Sequence, residues 1–174
     1  TCAIATNAKA YCWGANREGQ LGDGTTTDRW SPTLVFGGLS WKQIEVGGGS
    51  AYAGFTCGLT TGERIYCWGS NYYGQLGNGS SGYDTHTSFP TATTNVGVTY
   101  RQLSTGGYHT CAVSTGNVAY CWGYAHYGQT GNGGVFYQPT AVSGGYAFRQ
   151  VTAGAVHTCG TTTGTSTFCS GPGT

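Results

Sequence analysis

Eight cysteines fall into four pairs, Cys2/Cys12, Cys57/Cys67, Cys111/Cys121 and Cys159/Cys169, and the partners in every pair stand 10 positions apart. A single preserved spacing is what local bridges produce and what scrambled pairing does not. In CAVSTGNVAYC (111–121) the turn signal Thr115-Gly116-Asn117 separates two short apolar stretches. Folding about Gly116 sets Cys111 opposite Cys121. Directly opposed side chains on paired strands have Cβ atoms about 4.5–5.5 Å apart. A small adjustment reaches the ~3.8 Å a disulfide prefers. Zinc sites favour close spacings such as C-x2-C, which the chain lacks. Four disulfides, in hairpins 2–12, 57–67, 111–121 and 159–169, are therefore expected, and with them an oxidising compartment: extracellular or cell-surface.

The segment after each cysteine recurs as well. YCWGANREGQLGDG (11–24), YCWGSNYYGQLGNG (66–79) and YCWGYAHYGQTGNG (120–133) are nearly one phrase. Cys12, Cys67, Cys121 and Cys169 follow one another at intervals of 55, 54 and 48 residues, a period typical of propeller blades. PTLV (32–35), PTAT (90–93) and PTAV (139–142) read as strands entered through proline. WKQIEV (41–46), YRQLST (100–105) and FRQVTA (148–153) read as a second set, and each Cys hairpin adds two strands. Four strands per repeat is the propeller count. Along one hairpin Cys57, Leu59, Ile65 and Cys67 share a face, while Tyr66 and Trp68 take the other. A sheet apolar on both faces must be covered on both. The expectation is an all-β chain, residues 1–174 forming a single propeller-repeat array of about three and a half four-stranded repeats. Trp13, Trp68 and Trp122 fill the spaces between blades. Gly22, Gly77 and Gly131 permit turns, as do Gly74 and Gly79, and Gln20, Gln75 and Gln129 bond backbone groups in the tight loops.

Composition narrows the partners. Charged residues make up 7% of the chain and the net charge is +1, too little for a nucleic-acid footprint or a basic membrane-surface element. Aromatic residues at 14% oppose disorder. No run of 18 apolar residues predicts a membrane span. The chain contains no methionine and starts inside a repeat, which reads as a mature or trimmed product, or a fragment of a longer chain.

C-W-G-x-N-x-x-G-Q-L-G-x-G, with a later G-x-x-H-T-C, resembles the regulator of chromosome condensation repeat over essentially the whole chain, and the cysteine-bearing version is similar to extracellular bacterial members. The resemblance implies a β-propeller, seven-bladed in the founding members. The founding member's guanine-nucleotide exchange and chromatin contact are not carried over, because fold does not fix function and the charge and disulfides suit neither a nucleosome nor a nucleus. Three departures stand out: Thr130 replaces Leu21 and Leu76, Ser170 takes the tryptophan position in FCSGPGT, and GGGSAYAG (47–54) predicts a longer loop.

Chemistry-bearing residues are sparse. His109 and His157 precede Thr-Cys where Phe55 stands in the second repeat, which points to a structural role. His86 and His126 fall in loops. Asp23, Asn78 and Asn132 share the position inside G-D/N-G, a turn site before it is a calcium ligand. No G-x-S-x-G or phosphate loop occurs, and the six acids are scattered. No enzyme, metal site or cofactor is expected. Asn78-Gly79-Ser80 is a glycosylation sequon, and threonine runs at 25–27, 91–94 and 161–163 can carry O-linked sugar. Tyr72 and Tyr73, with Tyr83, Tyr124, Tyr127 and Tyr137, can form a stacking surface for a glycan or protein ligand, or pack blades.

Three and a half blades do not close a ring of seven. The open ends call for missing repeats of the same chain or for other copies of it. The leading expectation is a non-enzymatic extracellular structural protein assembling through its propeller ends, as in a fibre or surface layer. The alternative is a ligand-binding propeller, adhesin- or lectin-like.

Overall fold

The computed structural model describes residues 1–48, 53–95 and 97–172. Within them the chain forms four antiparallel sheets. The first holds β1 (Cys2–Ile4), β2 (Ala10–Gly14) and β3 (Arg29–Leu34). The second holds β4 (Trp41–Gly47), β5 (Phe55–Thr60), β6 (Ile65–Gly69) and β7 (Thr87–Ala92). The third holds β8 (Tyr100–Thr105), β9 (His109–Ser114), β10 (Ala119–Gly123) and β11 (Phe136–Ala141). The fourth holds β12 (Phe148–Ala153), β13 (Thr158–Thr162) and β14 (Thr167–Ser170). Within each sheet the spatial order follows the sequence, so each is one blade of a propeller and the ring is incomplete. Of the 47–54 stretch expected to form a longer loop, residues 49–52 lie outside the described residues.

Three of the hairpins fold about a glycine, Gly62, Gly116 or Gly164, and the first turns at Asn7-Ala8. The register sets Cys2 against Cys12, Cys57 against Cys67, Cys111 against Cys121 and Cys159 against Cys169. All four pairs are disulfides, with Cα atoms 4.1–4.2 Å apart. One residue per turn adopts positive φ: Ala8, Glu63, Asn117 and Thr165. It follows the glycine where a glycine is present, as at Gly116-Asn117.

One expectation needs correction. The proline-bearing strands begin three residues before their prolines, at Arg29, Thr87 and Phe136. Each is the outer strand of its blade, and its register slips opposite Trp13, Trp68 and Trp122. A proline lacks the N–H of a ladder bond, and an edge strand with a bulge tolerates that loss.

Both faces of the central blades are covered. Cys57, Leu59, Ile65 and Cys67 pack with Tyr100, Leu103, Ala112 and Trp122 of the third blade. Tyr66 and Trp68, on the opposite face, pack with Ala10, Cys12, Leu21 and Val35 of the first. Side chains also replace strand pairing between blades. The Gln43 amide donates to the Leu103 carbonyl at 2.7 Å and accepts from its N–H at 3.0 Å. Gln102 grips Val151 in the same way, at 2.8 and 3.0 Å.

Candidate functional site

The recurring Cys-Trp-Gly phrase builds a hydrogen-bonded loop that presents two outward-facing residues per blade. The side-chain oxygen of Gln20, Gln75 and Gln129 accepts from the backbone N–H two residues earlier, at Glu18, Tyr73 and Tyr127. The backbone carbonyls of Gln20 and Gln75 accept the indole N–H of Trp68 and Trp122 from the next blade, both at 3.0 Å. They also accept the hydroxyls of Thr56 and Thr110. The indole rings lie over Gly22 and Gly77, where a Cβ would overlap them. Asn16 and Asn71, buried, add a bond from the N–H of Leu21 and Leu76. The amide nitrogens of Gln75 and Gln129 are buried without a protein partner among the described residues.

The residues this loop displays are Arg17-Glu18, Tyr72-Tyr73 and His126-Tyr127. On the second and third blades they join a continuous aromatic rim. Tyr72 contacts Tyr83 at 4.2 Å and Tyr73 at 4.6 Å between ring centroids. Tyr73 reaches Tyr124 at 4.7 Å and Tyr108 at 5.2 Å. Tyr124 continues to Tyr127 and stacks on His126, each at 6.0 Å. A hollow of about 410 Å3 lies along this rim, walled by Glu18, Ser70, Tyr72, Tyr73, Tyr83 and Tyr108. Tyr83 is 79% exposed and Tyr127 50%. A hydrogen bond with Tyr83, with that neighbour's charge and burial adding, raises the Tyr72 phenol above its ordinary value. Burial, then Tyr127 and Tyr73, raises Tyr124. Both phenols are therefore neutral at ordinary pH. The rim offers π-faces and hydroxyl groups, with the Glu18 carboxylate in the wall of the hollow. Such a surface can stack on sugar rings or apolar side chains and attract a cation.

The other candidates have structural surroundings. Tyr137 packs against the backbone of Gly74, the residue after Tyr73. His109 is fully buried, lies over Gly106, and its Nε2 meets the Thr158 hydroxyl at 2.8 Å. Burial, with the charge of His157 adding, pushes its imidazole down to about 4. His157 is exposed, and His86 contacts the Tyr83 carbonyl through Nδ1. Burial raises the Asp23 carboxyl, but hydrogen bonds from Thr25 and Arg29 and the Arg29 charge outweigh it and hold the group below its usual value. Its ion pair with Arg29 spans 2.6 Å. The Asn78 side-chain oxygen accepts from Asn71 and from the N–H and hydroxyl of Ser80, so this asparagine is part of its turn. Among the described residues no three His, Cys, Asp or Glu side chains converge as metal ligands, and no helix is long and apolar enough to cross a membrane. Tyr108 is the rim residue that sequence reading missed. It sits in GGYHTC beside the conspicuous His109, and only folding brings it under Tyr73.

The family model described as regulator of chromosome condensation (RCC1) repeat matches residues 7–53 and 63–113, and a second of the same description matches 49–75 and 100–129. The chain belongs to this repeat family. It is 32% identical over 133 residues to the Arabidopsis thaliana ultraviolet-B receptor UVR8, covering 76% of this chain and 29% of that protein. It is 28% identical over 128 residues to the human probable E3 ubiquitin-protein ligase HERC6, covering 73% of this chain and 12% of that one. Human WBSCR16 superposes with a TM-score of 0.84 at 21% identity, over 98% of this chain and 44% of that one. Yeast RCC1 (Prp20) bound to Kap60 gives 0.77 at 20%, over 94% and 40%. The chain thus spans less than half the length of these relatives, and the structural likeness shows the fold. The repeat fold supports a role in protein interaction. Four disulfides fit an oxidising environment.

Proposed function

We propose that this chain is a non-enzymatic, extracellular ligand-binding part of a propeller, and that the tyrosine rim is its docking face. The continuous contact of Tyr83, Tyr72, Tyr73, Tyr108, Tyr124 and Tyr127 around an open hollow carries this reading. A ring buried only for packing does not leave its face in solvent, whereas Tyr83 and Tyr127 do. The partner is a glycan or a protein segment with flat apolar faces. A glycan array and a peptide display library, each screened with the wild type and with Tyr72→Ala/Tyr73→Ala, test it. Binding that the double variant loses supports the rim; binding indifferent to the variant, or none in either screen, refutes it.

A second reading, assembly through the blade ends, has its own support. Trp30 is 97% exposed. It occupies the position at which Ser88 and Tyr137 pack against Gly19 and Gly74 of a preceding blade. Gln150, the counterpart of Gln43 and Gln102, is likewise exposed. Both ends are built to receive a blade, from further repeats or from another copy. Light scattering of the wild type and Trp30→Ser separates the two readings: concentration-dependent oligomers that the substitution dissolves support assembly, and a monomer at high concentration rules it out.

A further inference from the structure

Each blade-to-blade junction has one seat for an indole ring. At the first two junctions Trp68 and Trp122 occupy it, fully buried, and donate to the carbonyls of Gln20 and Gln75. At the third junction the equivalent residue is Ser170. The correspondence holds in space: a Cβ on Gly131 would face the Ser170 side chain, as one on Gly22 or Gly77 would face the indole nitrogen. The Ser170 hydroxyl reaches the Gln129 carbonyl at 3.2 Å, so the polar end of the seat is kept while the ring is missing. Thr130 stands where Leu21 and Leu76 stand in the other repeats, which removes further volume. A cavity of about 160 Å3 results, lined by Thr130, Gly131, Val142, Phe148, Val151 and Ser170. Tyr146 and Phe168, stacked at 4.3 Å and both partly exposed, also line it.

We propose that this cavity is a binding site for a small planar aromatic molecule of the indole class, carrying one N–H donor. An apolar cavity of about 150 Å3 accepts a benzene ring; this one is of that size and opens to solvent beside the half-exposed Tyr146 and Phe168, so the second ring of an indole can extend toward the opening. Chemistry agrees as well. Thr130, Ser143, Thr158 and Ser170 line the cavity and bring hydroxyl groups that can accept a ligand N–H, and the Ser170 hydroxyl is itself held by the Gln129 carbonyl behind it. The walls are otherwise apolar side chains and backbone. The cavity lies between the third and fourth blades and is separate from the tyrosine rim, so its occupancy does not depend on the function proposed above.

Calorimetry and thermal melting of the whole chain with free indole, 1-methylindole and N-acetyltryptophanamide test the assignment. Indole is expected to bind one to one and, at about ten times its dissociation constant, to raise the melting midpoint by roughly 3 °C. Methylating the nitrogen removes the donor and weakens binding about five- to tenfold. Ser170→Trp puts the chain's own ring in the seat, raises the midpoint and abolishes indole binding. Thr130→Leu narrows the seat with the residue the first two repeats carry, and is expected to weaken indole severalfold even if the tryptophan variant does not fold. Absence of saturable indole binding, or binding unchanged by either substitution, overturns the proposal. So does binding of N-acetyltryptophanamide without binding of free indole, which would indicate a tryptophan-bearing peptide instead.

Discussion

Acid should loosen this protein through one histidine. His109 is fully buried against Gly106, with its Nε2 on the Thr158 hydroxyl of the next blade and its Nδ1 without a protein partner among the described residues. Burial holds its imidazole at about 4, against an ordinary 6.5. Below 6.5 the unfolded chain binds a proton that the folded chain refuses, so stability falls as pH drops through that window and levels off below about 4. A difference of about 2.5 units at roughly 1.4 kcal/mol per unit makes the full loss about 3.5 kcal/mol, about 3 of it by pH 4. That is a large fraction of the ~5–15 kcal/mol that holds a typical domain. Urea unfolding between pH 7 and 4, with the disulfides intact, measures it. His109→Phe supplies the control, because Phe55 fills the same position on the second blade over Gly47. The variant should lie within about 1 kcal/mol of wild type at pH 7, trading one hydrogen bond for apolar contact, and should lose about 3 kcal/mol less on acidification. An equal pH slope in the two proteins, or a nuclear magnetic resonance titration of His109 near 6.5, would refute the reasoning.

Three further outcomes are expected. Thr165 is a β-branched residue at positive φ in the last hairpin turn, so Thr165→Asn should stabilise by about 1 kcal/mol in chemical unfolding. Gln102→Ala removes both bonds to Val151 and leaves that strand's N–H and carbonyl without them; a loss of about 2 kcal/mol and faster amide exchange confined to β12 should follow. Reducing the four disulfides should cost about 2–3 kcal/mol per bridge in the chain-entropy account, which a melt with and without reductant reads directly; an unchanged midpoint would mean that blade stacking alone holds the hairpins.

Local chemistry made much of the architecture legible in advance. A cysteine spacing of 10 with a turn signal at its centre admits one simple register, and the register found is that one. The alternation of Cys57 and Leu59 against Tyr66 and Trp68 needed only the period of a strand to show two apolar faces. The proline strands were harder to place because their starts depend on a bulge opposite each tryptophan, a feature of pairing between strands and not of any one of them.

What the chain's order of residues determined by itself is the repeated part: hairpin, staple, glycine loop and the demand for neighbours on both sides, since these follow from contacts within a few dozen residues. Tertiary structure alone decided what the parts do together. It drew Tyr108 beneath Tyr73, joined the Gln43 and Gln102 amides to the next blade, and set Ser170, Thr130, Val142 and Phe148 around one cavity between the third and fourth blades. Each of these depends on side chains from separate blades converging, and convergence is a property of stacking that spacing along one strand does not contain.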